Sequence, residues 1–266
     1  AAGRNHDYRD ASGNYDSQSN LTGYYWMNSP HSTLDMVGSY PDLNSDSSEG
    51  RMALSVVPEG GTVGQTPFGF TKDKAAGDVV FNLGGYGYLN IPHHASLNPD
   101  MSEGFTVSVW VKALTLQNNI STAILDKDDS HDRWYVRIRD GVAGDKIQFN
   151  FGDGSGSTDI TGSNVTDHSW RHFVFTLSTS GSAWTTGQFY LNGASSGGSV
   201  DISARNADNP GDHPLTIGAN YDPSGTSVTF TGSVALTKIY ERALSADEVK
   251  LLYESGARTM RFIEDV

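Results

Sequence analysis

The stretch FTVSVWVKA at residues 105–113 decides the fold. Phe105, Val107, Val109 and Val111 recur at every second position, with Thr106, Ser108, Trp110 and Lys112 between them. Successive side chains of a strand point to opposite faces, so strict alternation over this length predicts a half-buried β-strand. One face is a dry seam of Phe and Val. The other presents Trp110 and Lys112 to a different environment.

Similar segments flank this one. Residues 121–126, 133–139, 146–151, 168–178, 187–192, 215–219 and 230–240 read as strands after it, and 21–27, 52–57, 79–83 and 86–91 before it. Gly141, GDGSGS at 152–157, Asn192-Gly193, Gly197-Gly198 and residues 209–211 supply turns between them. Gly84-Gly85 reads as a hairpin joining 79–83 to 86–91, and the Gly- and Pro-punctuated residues 58–78 read as loop. Many short strands and almost no helix predict an all-β, two-sheet antiparallel sandwich.

One short C-terminal helix breaks the pattern. Ser245 and Glu248 form a capping box, and Leu244 and Val249 stand at the positions of a hydrophobic staple. Val249, Leu252 and Tyr253 share one face, and Gly256 is placed to end the helix. The expected role is a structural lid on one end of the sandwich.

The totals narrow the function classes. The chain has 266 residues, enough for one large all-β domain. It has no cysteine, which excludes a disulfide framework and thiolate metal sites. A net charge of −13 is repelled by phosphate backbones and argues against nucleic acid as a partner. Apolar runs are only a few residues long, so no membrane insertion is expected. Residues 1–20 hold almost no aliphatic side chains and read as a polar arm, ordered only by docking on the domain or on a neighbouring copy. The chain begins at Ala1 without Met and reads as processed or trimmed.

Five stretches together resemble a known family. They are YGYLNIPHHASLNPDMSEGFTVSVWVK (86–112), AILDKDD (123–129), VTDHSWRHFVFTL (165–177), GQFYLNG (187–193) with LTIGA (215–219), and FTGSVALTKIYERALSADEVKLLYESG (230–256). In order and spacing they are similar to the laminin-G-like, or concanavalin A-like, jelly-roll domains. The resemblance covers residues 21–256 and implies a jelly roll with one concave sheet, flanked by the arm at 1–20 and a tail at 257–266. It also implies a structural Ca²⁺ beside the first strands, held in part by acidic residues after "G-x-I". This chain carries Ala235 and Leu236 there, while Asp35 matches the other half of such a site. The two apolar residues offer no hard oxygen donors, and Ca²⁺ remains the one cofactor to test. Asp126, Asp128, Asp129 and Asp132 read either as a hard-cation site or as a polar hairpin loop.

Alternation also sorts the two faces. Phe173, Phe175, Leu177, Ile147, Phe149, Phe151, Phe189 and Leu191 belong with the Val seam. Opposite them stand Trp110, Lys112, Tyr135, Arg137, Arg139, Gln148, Asn150, His172 and Tyr190. If their strands share the concave sheet, the set suits a polysaccharide or glycoconjugate. Aromatic rings stack on sugar rings, and Arg, Lys, Gln and Asn donate to hydroxyls or carboxylates. Basic groups clustered on an acidic protein hint at an acidic glycan. The alternative is that these are ordinary outward positions, with Trp110 half-buried under a loop or the arm.

Three functions follow as expectations. The first is a non-catalytic glycan-binding or adhesion domain, extracellular or surface-exposed. The second is a structural subunit of a filament, capsid or surface layer, joined to copies of itself through residues 1–20 and 257–266. The third is a polysaccharide lyase on an acidic glycan, with Arg137 and Gln148 neutralising a carboxylate and His172 or Tyr190 moving the proton.

Overall fold

The computed structural model describes residues 21–25, 55–58, 69–73, 78–82, 87–91, 93–115, 122–127, 134–139, 145–153, 155–165, 168–205, 213–219 and 230–261. In chain order the strands begin with β1 (Leu21–Tyr25), β2 (Ser55–Pro58), β3 (Gly69–Asp73), β4 (Asp78–Asn82), β5 (Gly87–Ile91), β6 (Phe105–Thr115), β7 (Thr122–Lys127) and β8 (Trp134–Arg139). They continue with β9 (Lys146–Gly152), β10 (Ser157–Asn164), β11 (Arg171–Thr179), β12 (Trp184–Leu191), β13 (Ala194–Ser195), β14 (Val200–Asp201), β15 (Leu215–Ile217) and β16 (Thr231–Tyr240). An α-helix, α1 (Ala246–Arg261), follows. No helix among the described residues is long and apolar enough to cross a membrane.

The strands form two antiparallel sheets, as a jelly-roll sandwich requires. One has nine strands in the order β13-β12-β11-β6-β16-β4-β3, with β1 also pairing β16 and β14 pairing β12. The other has seven, in the order β10-β9-β8-β7-β15-β5-β2. The decisive stretch becomes β6, near the middle of the larger sheet. Its Phe105, Val107, Val109 and Val111 are all buried in the core between the sheets. Phe173, Phe175, Leu177, Ile147, Phe149, Phe151 and Phe189 join them there, with Leu191 packed at the margin.

Aromatic pairs fasten one sheet to the other. Phe105 meets Trp134 at 5.4 Å between ring centroids, Phe149 meets Phe175 at 5.3 Å, and Phe151 meets Trp184 at 5.0 Å. Each such ring removes apolar surface worth roughly 2–3 kcal/mol from water. The Trp134 indole also donates to the Leu97 carbonyl at 2.8 Å, so its one polar atom is satisfied.

Several local expectations need correction. Residues 79–83 and 86–91 do not form a hairpin: β4 pairs β3 and β16 in the larger sheet, whereas β5 pairs β2 and β15 in the smaller one. The chain therefore changes sheet between β4 and β5. Residues 58–78 are not all loop, since β3 lies within them at the end of the larger sheet's strand order. Strand β10 was also unforeseen, because Ile160 is its only aliphatic residue. Gly162, two residues on, lies against Phe189 and Ile147 so closely that a Cβ would fall 2.5 Å from one ring carbon.

The Asn192-Gly193 turn forms as expected. Both residues have positive φ, 50° and 79°, the pairing a tight hairpin between β12 and β13 requires. In β16 a β-bulge separates two register segments: Ala235 faces Trp110 and Lys238 faces Ser108, three steps on β16 against two on β6. Leu236 takes the extra place at φ 47°. Val234 before the bulge and Ile239 after it lie in the core, while Ala235, Leu236 and Tyr240 lie in a second apolar cluster.

That cluster sits under α1. The capping box is present: Glu248 accepts from the Ser245 N–H at 2.8 Å, and Ser245 Oγ accepts from the Glu248 N–H at 3.3 Å. Arg242 adds a two-pronged ion pair to the Glu248 carboxylate. Burial pushes that carboxyl up, but the hydrogen bonds from Arg242 and Ser245 outweigh it and hold it below its usual range. Val249, Leu252, Tyr253, Gly256 and Ala257 follow the helical i, i+3, i+4 spacing and turn inward.

Two expectations about the helix fail. It does not stop at Gly256 but runs to Arg261, taking in residues 257–261 of the anticipated tail. Gly256 is there for room: a Cβ would lie 2.6 Å from the Trp110 indole nitrogen. Nor does the helix close one end of the sandwich. It lies on the outer face of the nine-stranded sheet. The arm at 1–20, Asp35, Asp128, Asp129 and Asp132 lie outside the described residues.

Candidate functional site

The outward-facing residues divide between two faces on opposite sides of the sandwich. Trp110 and Lys112 on β6, His172 on β11 and Tyr190 on β12 belong to the nine-stranded sheet. Tyr135, Arg137 and Arg139 on β8 and Gln148 on β9 belong to the seven-stranded sheet. The expectation of one shared face is therefore corrected. Alternation aims each side chain outward, but the core stands between the two groups.

On the larger sheet the helix covers the set. Trp110 is only 5% exposed. It stacks on His172 at 5.1 Å and on Tyr253 of α1 at 5.7 Å, with interplanar angles of 24° and 12°. The cover is thus the C-terminal helix, not a loop or the arm. His172 Nε2 shares a 2.8 Å hydrogen bond with Ser108 Oγ, and its Nδ1 is buried without a partner among the described residues. Burial strips hydration from the imidazolium and Lys238 repels it, which lowers the pKa of His172 to about 3. Burial likewise pushes the Tyr190 phenol up, against a hydrogen bond with Thr176 that lowers it. Lys112 is half-buried opposite Ser233.

On the smaller sheet the outward residues form cross-strand polar rows. Thr216, Asp126, Tyr135, Asn150 and Asp159 face one another across β15, β7, β8, β9 and β10. Arg137, Gln148 and Thr161 form the next row, and Arg139 with Lys146 the one beyond. Arg137 Nε donates to Gln148 Oε1 at 2.9 Å, and its guanidinium lies 4.5 Å over the Tyr135 ring. Gln148 Nε2 reaches Thr161 Oγ1 at 3.4 Å, and Asn150 Nδ2 donates to Asp159 Oδ1 at 2.6 Å. Gln148 and Asn150 are only 2% and 4% exposed, so the network has a buried floor. Its rim is open: Arg139 and Asp159 pair at 3.7 Å with side chains 56% and 36% exposed.

Sequence reasoning missed Asp159, Thr161 and Lys146. The signal for the first two was the short alternation Asp159, Ile160, Thr161, weakened by glycines and serines on either side. Lys146 was legible as the first residue of a strand, opposite Arg139 only once the pairing is known.

Two chemical readings can be tested on this geometry. The lyase set does not assemble, because Arg137 and Gln148 lie on one outer face and His172 and Tyr190 on the other. General acid–base work needs all of them within reach of one substrate carbon. Calcium does not fit the positions that the family pattern implies: Ala235 and Leu236 are buried in the apolar cluster beneath α1 and bring no side-chain oxygen. Among the described residues no group of three or more His, Asp or Glu side chains is placed to hold a metal.

Comparison with known proteins bears on the fold. No curated protein matches the sequence. Among solved structures, the binding domain of Paraclostridial Mosquitocidal Protein 1 is similar at 17% identity and a TM-score of 0.65, over 89% of this chain and 52% of that one. The binding domain of Botulinum neurotoxin DC, solved in complex with rat synaptotagmin II, is similar at 13% identity and a TM-score of 0.61, over 89% and 52%. The chain thus spans about half the length of these toxin domains. Domain 4 of AbnA, a GH43 extracellular arabinanase from Geobacillus stearothermophilus solved with arabinotriose, is similar at 19% identity and a TM-score of 0.57, over 88% of this chain and 98% of that domain. At these identities the likeness is one of fold. The family model described as "Concanavalin A-like lectin/glucanases superfamily" matches residues 83–250, the segment that runs from the crossing between sheets into the covering helix. By that match and by its two antiparallel sheets, the chain belongs to the concanavalin A-like lectin/glucanase superfamily.

Proposed function

We propose that the protein is a non-catalytic glycan-binding domain that uses the outer face of its seven-stranded sheet. Arg137, Tyr135 and Gln148 form the centre, and Arg139 and Asp159 the rim. One observation carries this reading. Arg137 is held from below by Gln148 and the Tyr135 ring, while its terminal amines have no partner among the described residues. A donor fixed in place loses little freedom when it bonds a sugar hydroxyl or carboxylate. Strands β7 and β9 pair with β8 on either side and fix its place in the sheet.

The complex of the arabinanase domain with arabinotriose supports the same reading, since nearly all of that domain corresponds to this chain. The expected setting is extracellular or surface-exposed, where polymeric glycans are met. The test is binding to an array of neutral and acidic glycans, with wild type and Arg137→Ala side by side. Wild type is expected to bind, and Arg137→Ala to bind about tenfold more weakly at a temperature where the variant is still folded, its stability lowered by about 1–3 kcal/mol because the buried Gln148 Oε1 loses its donor. A blank array for wild type overturns the proposal.

A further inference from the structure

We infer that this face takes glycans bearing carboxylates, held by Arg137, Arg139 and Lys146; the inference rests on the glycan-binding reading above. Arg137 and Arg139 are two residues apart on β8, so they share a face at about 7 Å spacing. Lys146 stands directly opposite Arg139 on β9, about 5 Å across the strands. Three cations thus occupy neighbouring positions on a protein whose net charge is −13.

Their charges are largely unspent. Neither Lys146 nor the terminal amines of Arg137 has a partner among the described residues. Among the described residues Arg139 has only the exposed 3.7 Å pair with Asp159, a contact that water screens strongly. A carboxylate can accept two parallel N–H bonds from one guanidinium, a geometry a neutral hydroxyl cannot match. The chain's overall negative field repels polyanions at a distance. Binding therefore requires acidic groups in register with the three cations, which sets a carboxylated glycan apart from an arbitrary polyanion.

The test is titration calorimetry of the full chain with oligogalacturonate, a neutral arabino-oligosaccharide and dextran sulfate, at low and at high salt. Oligogalacturonate is expected to bind about tenfold more tightly than the neutral sugar, and to weaken as salt rises. Lys146→Glu and Arg139→Glu are each expected to weaken it about fivefold or more without lowering the melting temperature. Equal affinity for the neutral and the acidic oligosaccharide overturns this inference and leaves the glycan-binding reading standing. Dextran sulfate binding as tightly as oligogalacturonate also overturns it, as general attraction for polyanions. Binding of no sugar at all removes both readings.

Discussion

The two outer faces of the sandwich start from the same local pattern and end in opposite states. Each is the outward side of alternating antiparallel strands, and each carries aromatic and basic residues. On the nine-stranded sheet, Trp110, His172 and Tyr190 are buried under α1. On the seven-stranded sheet, Tyr135, Arg137 and Arg139 stand over a buried amide floor and keep an open rim. Alternation states which way a side chain points. Whether that direction leads to water depends on an element far along the chain. Residues that look equally suited to a sugar therefore divide into a support and a candidate surface.

The comparison can be broken by substitution. Trp110→Ala removes the ring between His172 and Tyr253 and should destabilise the fold by about 3–5 kcal/mol, read from urea melts. If it instead abolished glycan binding and left stability intact, the assignment of the two faces would be reversed. Gly256→Val drives a side chain into the same indole and should cost about 1–3 kcal/mol. An unchanged melt would mean that the helix does not sit tightly on this face.

Acid offers a sharper probe of the covered face. The pKa of His172 lies near 3 in the folded chain and near 6.5 when exposed, so between those values the unfolded chain binds the extra proton. Stability should then fall as pH drops through that window, by up to about 1.4 kcal/mol per pH unit. His172→Gln should flatten that dependence; an identical slope in the variant would assign the acid sensitivity to other groups. The smallest effect belongs to the open face. Arg139→Ala should change stability by less than about 1 kcal/mol, because its ion pair is exposed. A larger loss in thermal melts would show that the rim supports the fold.

How much was legible follows from what each pattern encodes. The Phe and Val seam of β6 could be read because one side of that strand is uniformly apolar and buried. The helix start was readable because its cap is a local contact between Ser245 and Glu248. Its end was misread, because Gly256 serves a distant indole and not a turn. Gly84-Gly85 signals a change of direction but not whether the chain stays in its sheet. The nine outward candidates lie on the side of their strands away from the core. Their separation into two groups depends on β8 pairing with β7 and β9 while β6 pairs with β11 and β16. Such long-range pairing leaves no mark on the spacing within a strand.

The bulge at Leu236 gives the last strand one place where its length can change without changing its faces. Before it, Val234 points into the core; after it, Ile239 does, and Tyr240 points to the helix. Replacing Leu236 with Asn would ease its positive φ while giving up one buried side chain. Deleting it would leave two steps on β16 against two on β6, so the bulge would vanish while Lys238 stays opposite Ser108, Ile239 in the core and Tyr240 toward the helix. A library of single-residue deletions should therefore show its greatest tolerance within this strand at the bulge, and intolerance away from it, where a deletion turns the residues that follow to the wrong face.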